Sequence, residues 1–284
     1  MINLIEKYLQ NYLKSENTKH KESLYKAMEY SLLAPGKRVR PILCLEFVKL
    51  CGGKIEDALP FAVAVEMVHA YSLIHDDLPC MDNDDMRRGR PTNHKVFGED
   101  IALIAGDGLL NKAFEVVLSS NIDCEKIVKA SKILADCSGR EGMIGGQCID
   151  LQSEGKELTL EALEAMNIGK TVGLIKAACC MGAVVASANE EEIKSAEKYA
   201  LSLGMAFQIR DDILDVIGNA NELGKNVGMD SELQKCNYVS LLGLEKCQEL
   251  VENYTKTALE SLEVFKGDKK PLTDLANKLI NRTN

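Results

Sequence analysis

Two clusters of aspartate residues are the strongest chemical signal in this sequence. The first reads Asp76-Asp77-Leu78-Pro79-Cys80-Met81-Asp82, and the second reads Asp211-Asp212-Ile213-Leu214-Asp215. Both interrupt apolar stretches of helical periodicity, where ionised carboxylates are costly unless something neutralises them. Hard divalent cations prefer oxygen ligands, and magnesium held by carboxylates commonly binds the phosphate groups of a substrate. The two clusters therefore predict a magnesium site that acts on a phosphorylated substrate.

The spacing within each cluster decides which carboxylates can share a cation. On a helix, Asp211 and Asp215 are about 40° apart in azimuth and about 6 Å apart along the axis, so both can face one ion. Asp76 and Asp82 would point about 120° apart on an ideal helix. Pro79 lies between them and cannot occupy an undistorted helix interior. We therefore expect residues 78–81 to unwind and to return Asp82 to the side of Asp76.

Basic residues accompany the acidic clusters and could hold a phosphate group without metal. Arg87 and Arg88 closely follow the first cluster, and arginine binds phosphate through two parallel hydrogen bonds. A second basic group, Lys37-Arg38-Val39-Arg40, lies in a break between predicted helices. Near the second cluster in sequence are Lys170, Lys225 and Lys235. One diphosphate bridged by metal and another held by arginine and lysine alone would account for all of these groups.

The elements that must position these side chains are helices. Apolar residues recur at helical spacing along nearly the whole chain, while alternating β-branched patterns are missing, as is any Asn-Gly or Asp-Gly pair placed between two such patterns as a hairpin would require. No stretch of the 284 residues has the composition of a linker. We predict an all-α, single-domain bundle of roughly ten helices over residues 1–284, with some helices well over 20 residues long.

Composition argues against several classes of protein. The net charge of −9 disfavours nucleic acid as the main partner. The longest uncharged run, residues 177–189, is too short to span a membrane, and the N-terminus lacks the pattern of a signal peptide. Ten cysteines form no CxxC pair, and Cys44, Cys51, Cys148, Cys179 and Cys180 lie in apolar helical stretches. We therefore expect reduced thiols that pack as small apolar groups in a cytoplasmic protein.

Taken together, the motifs resemble those of the short-chain trans-isoprenyl diphosphate synthases, and most of all the bacterial farnesyl diphosphate synthases. Residues 75–92 resemble the first aspartate-rich motif of the family, in the form with two extra residues, and residues 207–215 resemble the second. The shorter motifs follow in the order typical of the family: Gly36-Lys37-Arg38, Gly145-Gly146-Gln147, Gly169-Lys170-Thr171 and Gly224-Lys225. The resemblance covers nearly the whole chain. It implies a helical bundle around a central cavity and a homodimer.

The resemblance also implies roles for individual residues. Three magnesium ions, with manganese as an alternative, would be held by Asp76, Asp82, Asp211 and Asp215. The allylic diphosphate would contact Arg87, Lys170, Thr171, Gln208, Lys225 and Lys235, of which Lys170, Thr171 and Gln208 would be catalytic. Isopentenyl diphosphate, bound without metal, would contact Lys37, Arg40, His69 and Arg88.

The expected reaction is a head-to-tail condensation that proceeds by ionisation, condensation and elimination. The resemblance places at Tyr71 the residue that ends the pocket for the growing chain. Tyr71 lies five residues before Asp76, about 7.5 Å along the helix, and its neighbour Ser72 is small. We therefore predict farnesyl diphosphate, with fifteen carbons, as the product made from dimethylallyl or geranyl diphosphate. Geranylgeranyl diphosphate, with twenty carbons, is the alternative.

Some positions depart from the family pattern, and other functions stay open. Gln234-Lys235-Cys236-Asn237 stands where relatives often have Gly-Lys-Ser/Thr, and residues 281–284 are less basic than in many relatives. A terpene cyclase would share the first motif but would carry a different second one. A phosphohydrolase would use His75-Asp76. A di-iron bundle would use Glu66 and His69 as one Glu-x-x-His pair but needs a second such pair, and no other histidine has a glutamate three residues before it. A regulatory subunit of a heteromeric synthase is a further alternative, although such subunits usually lose one aspartate motif.

Overall fold

The structure is a computed structural model that describes residues 1–14, 19–153, 155, 156, 158–223 and 237–280, with only the backbone for 218–223. The all-α prediction is confirmed, because helices form most of the described chain. The helices are α1 Ile2–Leu13, α2 Glu22–Leu32, α3 Val39–Leu50, α4 Ile55–Asp76, α5 Asn93–Phe97, α6 Glu99–Leu118, α7 Cys124–Ser138, α8 Met143–Ser153, α9 Leu160–Asn167, α10 Gly173–Val185, α11 Glu190–Leu223, α12 Tyr238–Leu242, α13 Leu244–Ser261 and α14 Lys270–Ile280. A π-helical turn spans Ile168–Val172, a 3₁₀ turn spans Leu262–Val264, and strands β1 Met86–Arg87 and β2 Arg90–Pro91 form an antiparallel hairpin.

The chain packs as two compact units. Unit 1 comprises the described residues of 1–134 and 180–188. Unit 2 comprises the described residues of 135–179 and 189–284. The single domain over residues 1–284 stays a prediction.

Helix α4 carries much of the core of unit 1. Residues 58–68 of this helix are buried without interruption. A helix that is apolar on all sides is a core helix, and here α3 and α6 pack against it. By length and composition alone, α4 and the segment Leu160–Val185 could each cross a membrane, but 78% of the apolar window of each is buried within the protein. Burial to this extent is what a core helix of a globular protein shows.

Helix α11 is the main core helix of unit 2. It is 34 residues long and packs against α13, α14 and the π-helical turn. Tyr199 on this helix is fully buried, and its hydroxyl donates a hydrogen bond to the carbonyl of Leu272, 2.9 Å away. This bond satisfies the one polar atom that the tyrosine side chain brings into the core. The second aspartate cluster follows three turns further along α11.

The thiols mostly behave as the composition predicts. All nine cysteines in the described part of the chain are free thiols. Cys44, Cys179 and Cys180 are buried, which fits their predicted role as small apolar groups. The prediction is wrong for Cys148, which is exposed on α8, and only partly right for the half-buried Cys51. Helix α8 also exposes the apolar side chains of Ile144 and Leu151, so a run of apolar letters did not reveal which side of this helix faces solvent.

A buried ion pair fixes the beginning of α3. The guanidinium of Arg38 donates to Glu66 on α4 at 2.8 Å, to Glu6 on α1 at 2.6 Å and to the carbonyl of Ala34 at 2.9 Å. Arg38 is only 3% exposed and has a left-handed backbone, with φ of 47°. Three acceptors around one guanidinium offset the cost of taking its charge out of water. Arg38 therefore joins α1, α4 and the end of α2 where α3 begins.

Replacing Arg38 should reveal how much of the stability of unit 1 depends on this ion pair. In Arg38→Met, the carboxylate of Glu66 stays buried without its partner, so we expect the free energy of unfolding to fall by about 3–5 kcal/mol. Urea denaturation followed by circular dichroism measures this loss. Lys7→Met, which removes an exposed charge from α1, is the matched control. Equal stability of the two variants would contradict a structural role for Arg38.

Candidate active site

The first aspartate cluster lies at the point where α4 ends. The helix stops at Asp76, three residues before Pro79. The chain then turns back, so that the amide of Asp82 donates to the carbonyl of Asp76 at 2.8 Å. Within the turn, the amide of Leu78 bonds to the carbonyl of His75 at 3.1 Å. The expected unwinding is therefore present, and it returns the backbone of Asp82 to that of Asp76.

The carboxylates of the first cluster differ in their surroundings. Asp77 is 3% exposed, and its Oδ1 atom accepts hydrogen bonds from Nε and a terminal nitrogen of Arg87 at 2.9 and 2.5 Å. Burial raises the pKa of Asp77, and the Arg87 guanidinium opposes this shift. Asp76 is half-buried and Asp82 is exposed. Asp77 is therefore held inside the protein, while Asp76 and Asp82 remain accessible to solvent.

A tight hairpin directs the two adjacent arginines to different partners. The backbone of Arg87 lies opposite that of Arg90 in the hairpin, and Arg88 and Gly89 form the two-residue turn between the strands. Both turn residues have positive φ, 54° and 74°, which is the backbone of a type I′ turn and explains the glycine. Arg87 faces Asp77 and Asp84, whereas Arg88 lies 3.4 Å from Nε2 of His69.

The residues predicted for isopentenyl diphosphate line one basic pocket in unit 1. This pocket has a volume of about 350 Å³ and is bounded by residues 35–40 together with Glu66, His69 and Arg88. It therefore brings Lys37, Arg40, His69 and Arg88 together. The Nε atom of Arg40 is buried and has no hydrogen-bond partner among the described residues. A buried donor without an acceptor is what a pocket for an anion would contain.

Glu66 and His69 both line the basic pocket, and their surroundings argue against the di-iron site that the sequence left open. Glu66 accepts its hydrogen bond from Arg38, so it is already committed to an ion pair and does not form a di-iron ligand pair with His69. Burial and the charges of Arg40 and Arg88 lower the pKa of His69 well below its usual value. His69 is therefore a neutral imidazole that can accept a hydrogen bond from an arginine or donate one to a ligand.

In the second aspartate cluster, in unit 2, one carboxylate is again buried and the other two are more exposed. Asp212 is 8% exposed, and its Oδ2 atom accepts a hydrogen bond from the amide of Tyr238 at 2.8 Å. Its Oδ1 atom accepts a longer one, 3.4 Å, from the side chain of Gln208. Burial raises the pKa of Asp212, and these hydrogen bonds oppose the shift. Asp211 is half-buried and Asp215 is exposed one turn later. We call Asp77 and Asp212 the inner aspartates, and the other four the outer aspartates.

The outer aspartates are Asp76, Asp82, Asp211 and Asp215, and they are the four that the sequence predicts as magnesium ligands. Their carboxylate oxygens are a donor set that suits magnesium. Among the described residues, however, no group of three or more His, Cys, Asp or Glu side chains is close enough to hold an ion. The magnesium site therefore stays a prediction, which rests on the two aspartate motifs.

The catalytic residues predicted in unit 2 lie on and beside the π-helical turn. Lys170 donates to Asp150 on α8 at 2.5 Å. Thr171 donates to the side-chain carbonyl of Gln208 at 3.2 Å. Single π-helical turns often occur at functional sites, because the extra residue shifts the side chains that follow. Lys225 and Lys235 lie outside the described residues, and their predicted contacts stay predictions.

Close backbone contact explains the glycines on either side of this turn. A Cβ atom on Gly146 would overlap the backbone nitrogen of Lys170, and one on Gly169 would be 2.7 Å from the carbonyl oxygen of Gly142. Only residues without side chains let α8 and the π-helical turn approach so closely. The Gly145-Gly146-Gln147 and Gly169-Lys170-Thr171 motifs are therefore two sides of one contact that sets the position of Lys170.

Tyr71, the predicted chain-length residue, is buried in unit 1. Its side chain is 6% exposed, and its ring lies edge-on to that of His75, with centroids 5.5 Å apart. Burial and the charges of Asp76 and Asp107 raise the pKa of Tyr71 to about 12, so its hydroxyl stays neutral. His75 itself lies 3.0 Å from the carbonyl of Leu103. Ser72 is half-buried and donates to the carbonyl of His69.

Sequence reasoning missed several residues that hold the predicted ones in place. Asp150 pairs with Lys170, and the inner aspartates bond to Arg87, Gln208 and a backbone amide. Asp150 occurs three residues after Gln147, one helical turn beyond the glycine motif. That spacing could have indicated Asp150 as a residue of the site. The partners of Asp77 and Asp212 could not be identified, because a run of adjacent aspartates does not reveal which member faces inward.

Comparison with known proteins finds one matching family and closely similar relatives. The family described as polyprenyl synthetase matches residues 21–270. A chloroplastic geranylgeranyl pyrophosphate synthase of Catharanthus roseus is 48% identical over 265 residues, which are 92% of this chain and 74% of that protein. These similarities extend over nearly the whole sequence, as the motifs predict.

Solved structures give the same result for the fold. A geranyltransferase from Legionella pneumophila superimposes with a TM-score of 0.87 at 32% identity, covering 100% of this chain and 95% of that one. An FPP/GFPP synthase from Zymomonas mobilis superimposes with a TM-score of 0.85 at 33% identity, covering 98% and 94%. The curated relative is named for a twenty-carbon product, which favours the alternative over the predicted fifteen-carbon product.

The glycine contact between α8 and the π-helical turn can be tested directly. Gly146→Ala would normally favour a helix slightly, but here the methyl group must displace the backbone of Lys170. We therefore expect the free energy of unfolding to fall by about 1–3 kcal/mol and turnover to fall at least about tenfold. Gln152→Ala, at an exposed position on the same helix, is the control. Wild-type stability and turnover in Gly146→Ala would show that the contact does not matter.

Proposed function

This chain belongs to the polyprenyl synthetase family and is a prenyltransferase, and we propose that it joins isopentenyl diphosphate to an allylic diphosphate with the help of magnesium. The observation that carries the proposal is the separation of charge within unit 1. The basic pocket gathers Lys37, Arg40, His69 and Arg88, and the carboxylate of Glu66 in its lining is paired with Arg38. The outer aspartates Asp76 and Asp82 are not part of that lining. Such a division suits one diphosphate bound by cationic side chains and another bound through metal.

Each diphosphate has its own set of proposed residues. Lys37, Arg40, His69 and Arg88 bind isopentenyl diphosphate, with the unsatisfied Nε of Arg40 as one donor. Arg87 and Lys170 bind the allylic diphosphate, together with Lys225 and Lys235. The outer aspartates supply the carboxylates for magnesium, which when bound neutralises the leaving diphosphate as its bond to the allylic carbon breaks.

The remaining residues of the proposed site act on the carbon skeleton. Once the carbon–oxygen bond of the allylic diphosphate breaks, the positive charge on the allylic carbon needs stabilisation. The hydroxyl of Thr171 and the side-chain carbonyl of Gln208 are oxygen dipoles that can provide it. The double bond of isopentenyl diphosphate then forms the new carbon–carbon bond, and a proton leaves to the released diphosphate. No side chain of the protein has to form a covalent bond.

Two product lengths are candidates, and a specific observation supports each. Twenty carbons is the first, because the curated relative at 48% identity is named a geranylgeranyl pyrophosphate synthase. Fifteen carbons is the second, because the bulky, buried Tyr71 lies five residues before Asp76, where a growing chain would meet it. The neutral phenol of Tyr71 suits an apolar pocket floor.

We further propose a cytoplasmic homodimer. Free thiols at all nine described cysteines are consistent with a reducing compartment. Homodimers are typical of the family, and the exposed side chains of Leu103 and Ile104 on α6 offer apolar surface for such a contact.

Removing an outer aspartate from either cluster should abolish prenyl transfer. Asp76→Ala and Asp211→Ala should each lower kcat at least about a thousandfold, because the diphosphate would leave without its neutralising cation. Radiolabelled isopentenyl diphosphate, an allylic diphosphate and magnesium provide the assay, with circular dichroism as the control for folding. Elongated product from the wild type supports a synthase. Released phosphate alone would indicate a phosphohydrolase, and near-normal turnover in either variant would contradict the proposed site.

The adjacent arginines should affect different substrates. Lys37→Ala and Arg88→Ala should raise KM for isopentenyl diphosphate about tenfold or more, because each removes a charged hydrogen bond from the basic pocket. Arg87→Lys should raise KM for the allylic substrate instead, because an ammonium cannot replace a two-nitrogen contact. Steady-state kinetics with each substrate varied in turn separate the two effects. Equal changes in both KM values for all three variants would refute the assignment.

Product analysis of one variant decides the role of Tyr71. If Tyr71 ends the pocket, Tyr71→Ala should shift the product by at least one five-carbon unit, because removing the ring opens the space below it. Chromatography of the dephosphorylated products measures the shift. Tyr71→Phe, which keeps the ring and removes only the hydroxyl, is the control and should leave the product length unchanged. A wild type that already makes mainly the twenty-carbon product, or a Tyr71→Ala variant that still stops at fifteen carbons, would place the pocket floor elsewhere.

A further inference from the structure

Asp212 occupies a position that sets it apart from the other aspartates of its cluster. It is 8% exposed, and each of its carboxylate oxygens accepts a hydrogen bond from the protein. Asp211 is half-buried, and Asp215 is exposed. A carboxylate that already faces two protein donors is a poor candidate for a cation that must come from solvent.

The first bond fixes the start of α12. Tyr238 is the first residue of this helix, and its amide is one of the donors that a helix leaves without an internal partner. Asp212 accepts that bond at 2.8 Å, and the Tyr238 side chain is 1% exposed. Asn237 accepts from the amide of Ser240 at 2.8 Å and thereby satisfies a second donor of the same turn. Asp212 therefore attaches the first turn of α12 to α11.

The second bond fixes the orientation of Gln208. The amide nitrogen of Gln208 faces Asp212, one turn further along α11, and its carbonyl oxygen accepts from Thr171. The two ends of a glutamine amide are chemically different, and a carboxylate can only accept. The carboxylate of Asp212 therefore selects the orientation in which the carbonyl oxygen of Gln208 faces Thr171.

We infer that Asp212 is a positioning residue rather than a magnesium ligand: it attaches α12 to α11 and holds the carbonyl of Gln208 toward Thr171. This inference rests on the proposed function, because Thr171 and Gln208 act on the allylic carbon there. Binding a metal ion and attaching α12 require different properties of the Asp212 side chain. A metal ligand needs its negative charge, whereas the attachment of α12 needs only an oxygen that accepts a hydrogen bond. Asparagine has such an oxygen, and alanine has none.

Four variants and three measurements distinguish these roles: Asp212→Asn, Asp212→Ala, Asp211→Asn and Asp211→Ala. Hydrogen exchange followed by mass spectrometry, on a peptide such as 234–243 that begins more than two residues before Tyr238, reports on the Tyr238 amide. We expect exchange to accelerate at least about tenfold in Asp212→Ala and to stay within about twofold of wild type in Asp212→Asn. Both variants of Asp211 should leave this exchange unchanged. Fast exchange in Asp212→Asn, or slow exchange in Asp212→Ala, overturns the attachment of α12 by Asp212.

The magnesium dependence of binding separates a ligand from a positioning residue. Titration calorimetry with an unreactive allylic diphosphate analogue, at several magnesium concentrations, needs no turnover. The magnesium concentration for half-maximal binding should be unchanged in Asp212→Asn and should rise at least about tenfold in Asp211→Asn. Equal increases in the two variants would make Asp212 a ligand and overturn the inference.

Turnover completes the comparison and distinguishes the inference from the proposed function. We expect Asp212→Asn to lower kcat at least about tenfold, because an asparagine oxygen that accepts from Tyr238 leaves the amide nitrogen facing Gln208, which turns the Gln208 carbonyl away from Thr171. Asp211→Asn should gain nothing over Asp211→Ala. Wild-type kcat in Asp212→Asn overturns the orientation of Gln208 by Asp212. If the wild type itself transfers no prenyl group, the proposed function fails, and the exchange data still decide whether Asp212 attaches α12.

Discussion

The structure depends on how it accommodates adjacent carboxylates at the margin of an apolar helical core. Two neighbouring ionised aspartates repel each other, and each loses hydration when the helix is packed. In both clusters one aspartate turns inward and accepts hydrogen bonds, Asp77 from Arg87 and Asp212 from the amide of Tyr238. The others keep contact with solvent. The hairpin that carries Arg87 and the helix that begins at Tyr238 are therefore located by the inner aspartates.

A second constraint acts on the backbone rather than on charge. The π-helical turn that carries Lys170 and Thr171 lies against α8 at a distance that only glycines permit. Asp150 on α8 then meets Lys170, and Gln208 on α11 meets Thr171. The side chains of the proposed site in unit 2 are thus oriented by partners on two other helices. Substitutions of these glycines should therefore alter turnover by displacing Lys170 and Thr171, and not by removing a contact to a substrate.

Much of this could be predicted from the sequence, because the signals are local. Helical periodicity gave the fold class, and Pro79 indicated the end of α4 near the first cluster. The inward turn of Asp77 and Asp212 could not be predicted, since their partners are ten and twenty-six residues away. The short hairpin and the π-helical turn depend on packing and leave no periodic pattern. The product length stays open for a similar reason, because pocket depth is a tertiary property and Tyr71 is one residue of it.

We propose that the outer aspartates bind metal and that the inner aspartates do not. Equilibrium dialysis with magnesium and an unreactive allylic diphosphate analogue counts the ions bound per chain. The account predicts three ions in the wild type, the same count in Asp77→Asn, and fewer in Asp76→Asn. An undiminished count in Asp76→Asn, or a loss in Asp77→Asn that matches it, would contradict the account.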